Sequence, residues 1–510
     1  MKKQYLLGID IGTSAVKLAL FSKALANRPV AIVGEEYPTH YPAPGYAEQA
    51  PEDWWQAVCR GIPKLLAEAN VNANEIAGIG LDGQSWSAVA IDKNGCVLAP
   101  SPIWFDTRAK SVCEELERIL GRGRCFATSC NPLEPTYTFP KIVWFKQNAP
   151  TVYENAVSVL QSNGFIVYRL TGKLSCDRSQ GYGFACFDMR SGTWDEALCR
   201  EAGVDPALLP PLYDCHRIVG TVTEEAAAAS GLAVGTPVVA GGLDSACEAL
   251  GAGVYACGQV QEQGGQSGGM SICMDKPTAD ERLILCRHVV PDHFLLQGGT
   301  VGGGAILRWF EQTFPQNAPE RGEFSPFANA DKEAERIAPG ADGLILLPYL
   351  SGERSPIWDP AAKGVYYGLD YAKTRAHFHR ANLEAAALAL RHNLEVAAEA
   401  GAKVTTLRAA GGSAKSPLWT QIKSDVTGCA VEVPEAYSTA AFGAAILAGV
   451  AVGLYRDFAE AAECVKLTRT HTPSPDNKST YDQTYATYRE LYERLAPLMH
   501  GRTEYMKKEV

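Results

Sequence analysis

The 510-residue sequence has no long basic run, its 47 Lys+Arg being outnumbered by 57 Asp+Glu. A formal net charge of -10 without a cationic stripe leaves nucleic acid and anionic membrane as poor partners. An anionic substrate must then be held by local donors. The 15 cysteines are scattered singly with no CxxC pair, unlike a secreted disulfide framework. They read as small buried hydrophobes of a cytoplasmic protein. No run of about twenty apolar residues is present to span a bilayer, and the start at Met1-Lys2-Lys3-Gln4 has no signal-peptide character. HExxH is missing and the 9 histidines are dispersed, which disfavours a metal-centred enzyme of that type. A GxSxG elbow is missing too, which disfavours a Ser–His–Asp hydrolase.

What is present suits a globular enzyme: hydrophobic residues make up 46% of the chain and charged residues 20%. The length suggests two to four domains, by the usual limit on a single core. Short apolar runs alternate with helical patterns, the mark of α/β architecture. Strands are expected at 6–11, 16–21, 76–81, 87–91, 237–240, 344–348, 406–410 and 431–433, and helices at 51–69, 108–120, 305–313, 376–400, 418–427 and 481–495. Two strands in succession at the start argue against a plain doubly wound sheet. The plan looks two-fold, with a small polar turn at 10–14 and another at 263–269 after a strand-like 259–263. The boundary is expected near 248–258, giving one domain at 1–250 and another at 251–510.

Five clusters carry possible chemistry. Asp10-Ile11-Gly12-Thr13-Ser14 ends a strand in a tight turn, where Gly12 admits a phosphate and Thr13 and Ser14 offer donors. Asp10 is placed to hold a metal ion, directly or through water; alone, the stretch also makes an ordinary hairpin. Gly241-Gly242-Leu243-Asp244 puts a carboxylate at a strand end, as a base for a substrate hydroxyl or as a helix cap. Gln84, Ser85 and Trp86, with Trp104, Phe105 and Asp106, combine rings with polar groups as a polyhydroxylated ligand requires. The same residues also make a strand end and a capped helix start. Gly411-Gly412-Ser413 follows a strand and opens a helix, which suits a nucleotide or a plain connecting turn. Gly302-Gly303-Gly304 is a second such helix start, and GxxxxGK[ST] is absent.

In this order the clusters resemble the FGGY family of carbohydrate kinases, from about residue 5 to about 455. The matches are Gly8-Ile9-Asp10-Ile11-Gly12-Thr13-Ser14, the stretch from Gly45 to Trp55, Gly80-Leu81-Asp82-Gly83-Gln84 and Gly242-Leu243-Asp244. Leu347-Pro348-Tyr349, Gly352-Glu353-Arg354, Lys363-Gly364 and Gly411-Gly412 through Gly443-Ala444-Ala445 continue the series. The resemblance implies two actin-like, ribonuclease-H-like lobes around a cleft for sugar and nucleotide, with ATP and Mg²⁺ as cofactors. It makes Asp244 the catalytic base and Asp10 the metal-proximal acid. Thr13, Ser14 and Lys17 fall on the first phosphate hairpin, and Gly265, Gln266 and Ser267 on the second. Gly303, Gly411, Gly412 and Ser413 complete the nucleotide set, while Gln84, Ser85, Trp86 and Asp106, with Asp244, take the sugar.

Within the family the chain is most similar to members that phosphorylate D-xylulose to D-xylulose 5-phosphate. It departs from them at Ser85-Trp86 (Met-His there), at Phe105 (Asn) and at Asn163-Gly164 (near their Lys-Asp), where a sugar-contacting carboxylate is missing. Gln266 replaces the family's usual Thr. Ribulose, gluconate, a glycerol-like polyol or a quorum-signal sugar are the alternative acceptors, and a filament-forming or regulatory ATPase is the remote alternative. A homodimer is a family-level expectation.

Overall fold

A computed structural model describes residues 3–315, 326–435 and 437–507. Packing divides the chain into two units. The first comprises Met1–Cys257, Cys273–Leu295 and Glu435–Lys466, and the second Gly258–Ile272, Leu296–Pro434 and Leu467–Val510. A single boundary near 248–258 leaves out the two later segments that rejoin the first unit.

In the first unit the sheet runs in the order Ile218–Thr221, Pro237–Val239, Ile76–Gly83, Tyr5–Ile11, Ala15–Ser22, Ala31–Glu36, with Gly242–Leu243 also pairing Ile76–Gly83. The last three strands form an antiparallel meander, and Tyr5–Ile11, Ile76–Gly83 and Pro237–Val239 are parallel neighbours. Helix Pro51–Ala69 starts on a proline with Glu52 and Asp53 in its first turn, and stops at a left-handed Asn70. Its buried face, including Trp54, Val58, Ile62 and Leu65, joins Leu18, Ile79 and Leu81 in the core.

The second unit repeats the plan. Its strands lie in the order Phe294–Thr300, Gly268–Met274, Gln259–Gly264, Thr406–Ala410, Ala430–Pro434, Leu467–His471. Gln259–Gly264, Thr406–Ala410 and Ala430–Pro434 are parallel, and the final strand is antiparallel. Each unit therefore has the mixed sheet of a ribonuclease-H-like fold, and the hairpin turns at 12–14 and 265–267 occupy the same topological place. Helix Arg375–Glu399 and the C-terminal helix Lys478–Lys507 contribute Leu383, Leu388, Tyr481 and Tyr488 to this unit's core. No described helix is long and apolar enough to cross a membrane.

Most expected elements are found within a few residues of their place. The C-terminal helix is longer than 481–495, and helix Thr439–Ala451 lay outside the expected set. That helix is packed by backbone contact. A Cβ on Gly8 would lie 2.0 Å from the Ala441 carbonyl oxygen, and one on Gly80 would lie 1.7 Å from that of Ala444. Helix Asp244–Gly251 meets it as closely, since a Cβ on Gly443 would stand 1.9 Å from the Cys247 oxygen.

Gly80→Ala is therefore expected to destabilise the fold by about 3 kcal/mol, because rigid backbone must move. Gly123→Ala, which has open space around it, is expected to change stability by less than about 0.5 kcal/mol. Urea denaturation of the two variants checks the contrast.

Candidate active site

Strand register assembles an acidic cluster in the first unit. Asp10 and Asp82 are partners on the parallel strands Tyr5–Ile11 and Ile76–Gly83, and Gly242 pairs with Asp82 from the next strand. Leu243 then leads into helix Asp244–Gly251, so Asp244 is its first residue. Three carboxylates thus stand at the C-terminal ends of parallel neighbours, where α/β sheets form ligand crevices.

Burial dominates their chemistry. Asp82 is fully buried, and neither of its oxygens receives an N–H or hydroxyl hydrogen bond among the described residues. Desolvation, then the charges of Asp10 and Asp244, pushes it well above the usual carboxylate range. Asp10 is also raised by burial, against the pull of Lys17, whose Nζ lies 3.5 Å away on the paired strand. Asp244 is half-buried. Desolvation raises it to about 7, while the Ser245 N–H donated to its Oδ1 at 2.6 Å opposes the shift and the Asp10 and Glu248 charges add to it. The hard oxygens of Asp10 and Asp82 suit Mg²⁺ that keeps several waters and takes phosphate oxygens. No group of three or more acidic, His or Cys side chains forms a complete metal cage among the described residues.

The first turn lies beside this cluster. The Thr13 carbonyl accepts from Gln49 Nε2 at 2.7 Å, and its Oγ1 accepts from Trp104 Nε1 at 2.9 Å. Ser14 is exposed.

The expected sugar residues divide. Gln84 Nε2 donates to Gln49 Oε1 at 2.8 Å, leaving the buried Gln84 Oε1 without a partner. Trp86 has a left-handed φ of 56°, and its ring packs against Tyr137 at 4.7 Å and Tyr182 at 5.5 Å. Its Nε1 has no hydrogen-bond partner among the described residues, and Ser85 Oγ accepts from the Tyr182 hydroxyl at 3.4 Å. Lys141, fully buried, holds this loop by donating to the Trp86 carbonyl at 2.9 Å and the Ile103 carbonyl at 2.7 Å. Asp106 departs from the expectation of an open sugar ligand. It is fully buried, and its oxygens are engaged by the Arg108 guanidinium at 2.8–3.0 Å and by the Ala47 N–H at 2.6 Å. An Asp two residues before an Arg forms such a closed fork readily.

In the second unit the expected nucleotide residues come together. The turn carbonyls of Gly265 and Gln266 accept from the N–H groups of Gly304 and Ala305 at 2.9 Å, so these first donors of helix Gly304–Thr313 are already spent. Gly303 lies flush on Ser267, where a Cβ would come within 2.5 Å of the Ser267 carbonyl carbon. Gly411, at φ 80°, follows strand Thr406–Ala410 and lies against Gly264. Beside them is a cavity of about 460 Å³, with Gln266, Arg308, Gly412 and Lys415 as polar lining and Leu307 and Trp419 as apolar wall. Its size suits a small-molecule ligand.

Several residues were not legible as site residues. Asp82 was inside a quoted motif, but its pairing with Asp10 is a long-range register. Lys423, almost fully buried, bridges Glu262 Oε1 and Ser413 Oγ at 2.7 Å each, which fixes Ser413 over Gly264. Asn163, at the departure from the xylulose pattern, donates to the buried Asp177 at 2.9 Å. A Cβ on Gly164 would lie 2.7 Å from the Ser175 oxygen, so an aspartate there has no room.

Comparison with known proteins agrees with this architecture. The N-terminal domain model of the FGGY family of carbohydrate kinases matches residues 5–251, and the C-terminal domain model matches residues 273–452. A xylulose kinase of Bacillus subtilis (strain 168) is 32% identical over 96% of this chain and 97% of its own length. A gluconokinase of the same strain is 30% identical over 94% of this chain and 93% of its own length. The crystal structure of xylulose kinase from Rhodospirillum rubrum is similar with a TM-score of 0.89 and 31% identity, covering 98% of this chain and 100% of that one. The chain belongs to the FGGY family of carbohydrate kinases. It is an ATP-dependent sugar kinase with two actin-like, ribonuclease-H-like units.

The raised pKa of Asp244 has a consequence for stability. Its folded value, about 7, lies above the unfolded value near 3.8, so the native state binds the extra proton between these limits. Its contribution to stability is fully present below about pH 4 and is lost as pH rises through 7. Asp244→Asn is expected to stabilise the fold at pH 8 by on the order of 3 kcal/mol, and by less at pH 5. Thermal melts at the two pH values check both the sign and the trend.

Proposed function

We propose that the enzyme transfers the γ-phosphoryl group of ATP to the terminal hydroxyl of D-xylulose, giving D-xylulose 5-phosphate and ADP. The observation that carries the mechanism is Asp244, a half-buried carboxylate raised to about 7 at a strand end beside Asp10 and Asp82. A base tuned near working pH takes a hydroxyl proton effectively without being permanently saturated. As the sugar oxygen attacks phosphorus, its proton passes to Asp244, the new O–P bond forms, and the β–γ bridging oxygen leaves with the electron pair as ADP. Thr13, Ser14 and Lys17 supply donors for phosphate oxygens, and residues 265–267, Gly303 and residues 411–413 supply backbone and side-chain groups for the nucleotide. Mg²⁺ beside Asp10 and Asp82, when bound, neutralises phosphate charge.

Trp86, Tyr137 and Tyr182 offer ring faces for the sugar's C–H groups, and the unpartnered Gln84 Oε1 and Trp86 Nε1 offer an acceptor and a donor for its hydroxyls. Asp106 supports this wall through Arg108 rather than touching the sugar. Xylulose is favoured by the xylulose kinases among the relatives. Gluconate is the second reading, supported by the gluconokinase at 30% identity and by the changed residues Ser85 and Trp86. Fifteen free cysteines suit a reducing, cytoplasmic setting.

Three measurements test this reading. Asp244→Asn is expected to lower kcat by about 10²–10⁴-fold while calorimetry finds ATP affinity nearly unchanged; near-normal turnover would remove Asp244 as the base. In the wild type, kcat/KM for the sugar is expected to rise with pH and level off above about 7, as Asp244 loses its proton. ADP release measured across D-xylulose, D-ribulose, D-gluconate and glycerol is expected to give the highest kcat/KM with D-xylulose. A higher value for gluconate would replace xylulose as the acceptor.

A further inference from the structure

The turn that delivers Asp244 is held from behind by a buried polar relay. Asp177 is 1% exposed, Ser179 is fully buried and Asn163 is 1% exposed. The Ser179 hydroxyl donates to Asp177 Oδ1 at 2.5 Å, and the same Oγ accepts the backbone N–H of Leu243, the residue before Asp244, at 2.8 Å. On the other carboxylate oxygen, Asn163 Nδ2 donates to Asp177 Oδ2 at 2.9 Å and reaches the Ala240 carbonyl at 3.3 Å. Asp177 Oδ1 also takes the Gln180 N–H at 3.0 Å. One carboxylate therefore organises both ends of the 240–243 turn. Between those ends Gly241 has a φ of 81° and no room for a side chain, since a Cβ would stand 2.3 Å from the Leu81 carbonyl oxygen.

We propose that Asp177 is a positioning residue for catalysis, acting through Ser179 and Asn163 to fix the turn that aims Asp244 at the acceptor hydroxyl. The inference rests on Asp244 being the base. A connected buried network favours one geometry, whereas removing a member leaves further polar groups unsatisfied and the backbone free to shift. A misplacement of about 1 Å at a reacting group can cost about 10²-fold in rate. Ser179 and Asn163 hydrogen-bond to the backbone turn before the base, and Asp177 reaches that turn only through them.

The test is a double-mutant cycle with full steady-state kinetics. Ser179→Ala is expected to lower kcat by about 10–100-fold while the KM values for sugar and ATP stay within about threefold. Asp177→Asn is expected to act in the same direction. In the Asp244→Asn background Ser179→Ala should add less than about twofold, because the group it positions is gone. Unchanged kcat in a folded Ser179→Ala enzyme, or a full multiplicative loss in the Asp244→Asn background, would overturn the inference and leave Asp244 as base. Near-normal activity of Asp244→Asn itself would overturn both. Ser179→Cys, which keeps size with weaker hydrogen bonding, is measured alongside; failure of both Ser179 variants to fold would assign the relay to stability alone.

Discussion

The active-site geometry of the first unit depends on bare backbone under one helix. Gly78, Gly80 and Asp82 alternate along one strand, as Gly8 and Asp10 do on its neighbour, so glycines and carboxylates share a face. Helix Thr439–Ala451 sits on Gly8 and Gly80 so closely that its carbonyls occupy the places of their missing Cβ atoms. The aspartates are two residues further along each strand. The same helix meets helix Asp244–Gly251 through Gly443 and Gly251. All three carboxylates are thereby referenced to one helix, though Asp10 and Asp244 are more than 200 positions apart in sequence.

That placement opposes stability. Asp82 cannot ionise without a large desolvation cost, and Asp244 ionises only near neutrality. A protein selected for stability alone would replace such groups with apolar ones. Retaining them means that the close-packed core must hold an arrangement that repels itself, which explains why the contacts behind it are backbone to backbone. Burial and the neighbouring charges raise both Asp82 and Asp244, the latter to about 7.

Local pattern made much of the architecture legible. Helix Pro51–Ala69 has its proline start and its amphipathic face in plain view, and strand Thr406–Ala410 is bounded by its own turn residues. Helix Thr439–Ala451 was invisible because it is apolar all round, with no amphipathic period to mark it. Asp10 and Asp244 could be picked out from their strand-end motifs. Asp82 could not, because parallel register joins residues 10, 82 and 242 only after folding. Asp106 shows the reverse error: polar and aromatic composition resembled a sugar site, yet Arg108 two residues on closes its carboxylate. Composition indicates which groups are available, and only geometry tells which remain unspent.

The two repeats differ where their tasks differ. Near the hairpin turn of the first unit, the acidic residues keep burial and mutual repulsion, with an exposed lysine 3.5 Å away as a weak partner. Near the equivalent turn of the second unit, Glu262 is matched by the buried Lys423 at 2.7 Å, and that lysine is tied onward to Ser413. The buried lysine offsets the Glu262 charge and, through Ser413, stiffens the glycine loop. One fold plan, used twice, thus differs in whether the acid near its hairpin turn has a buried cation of its own.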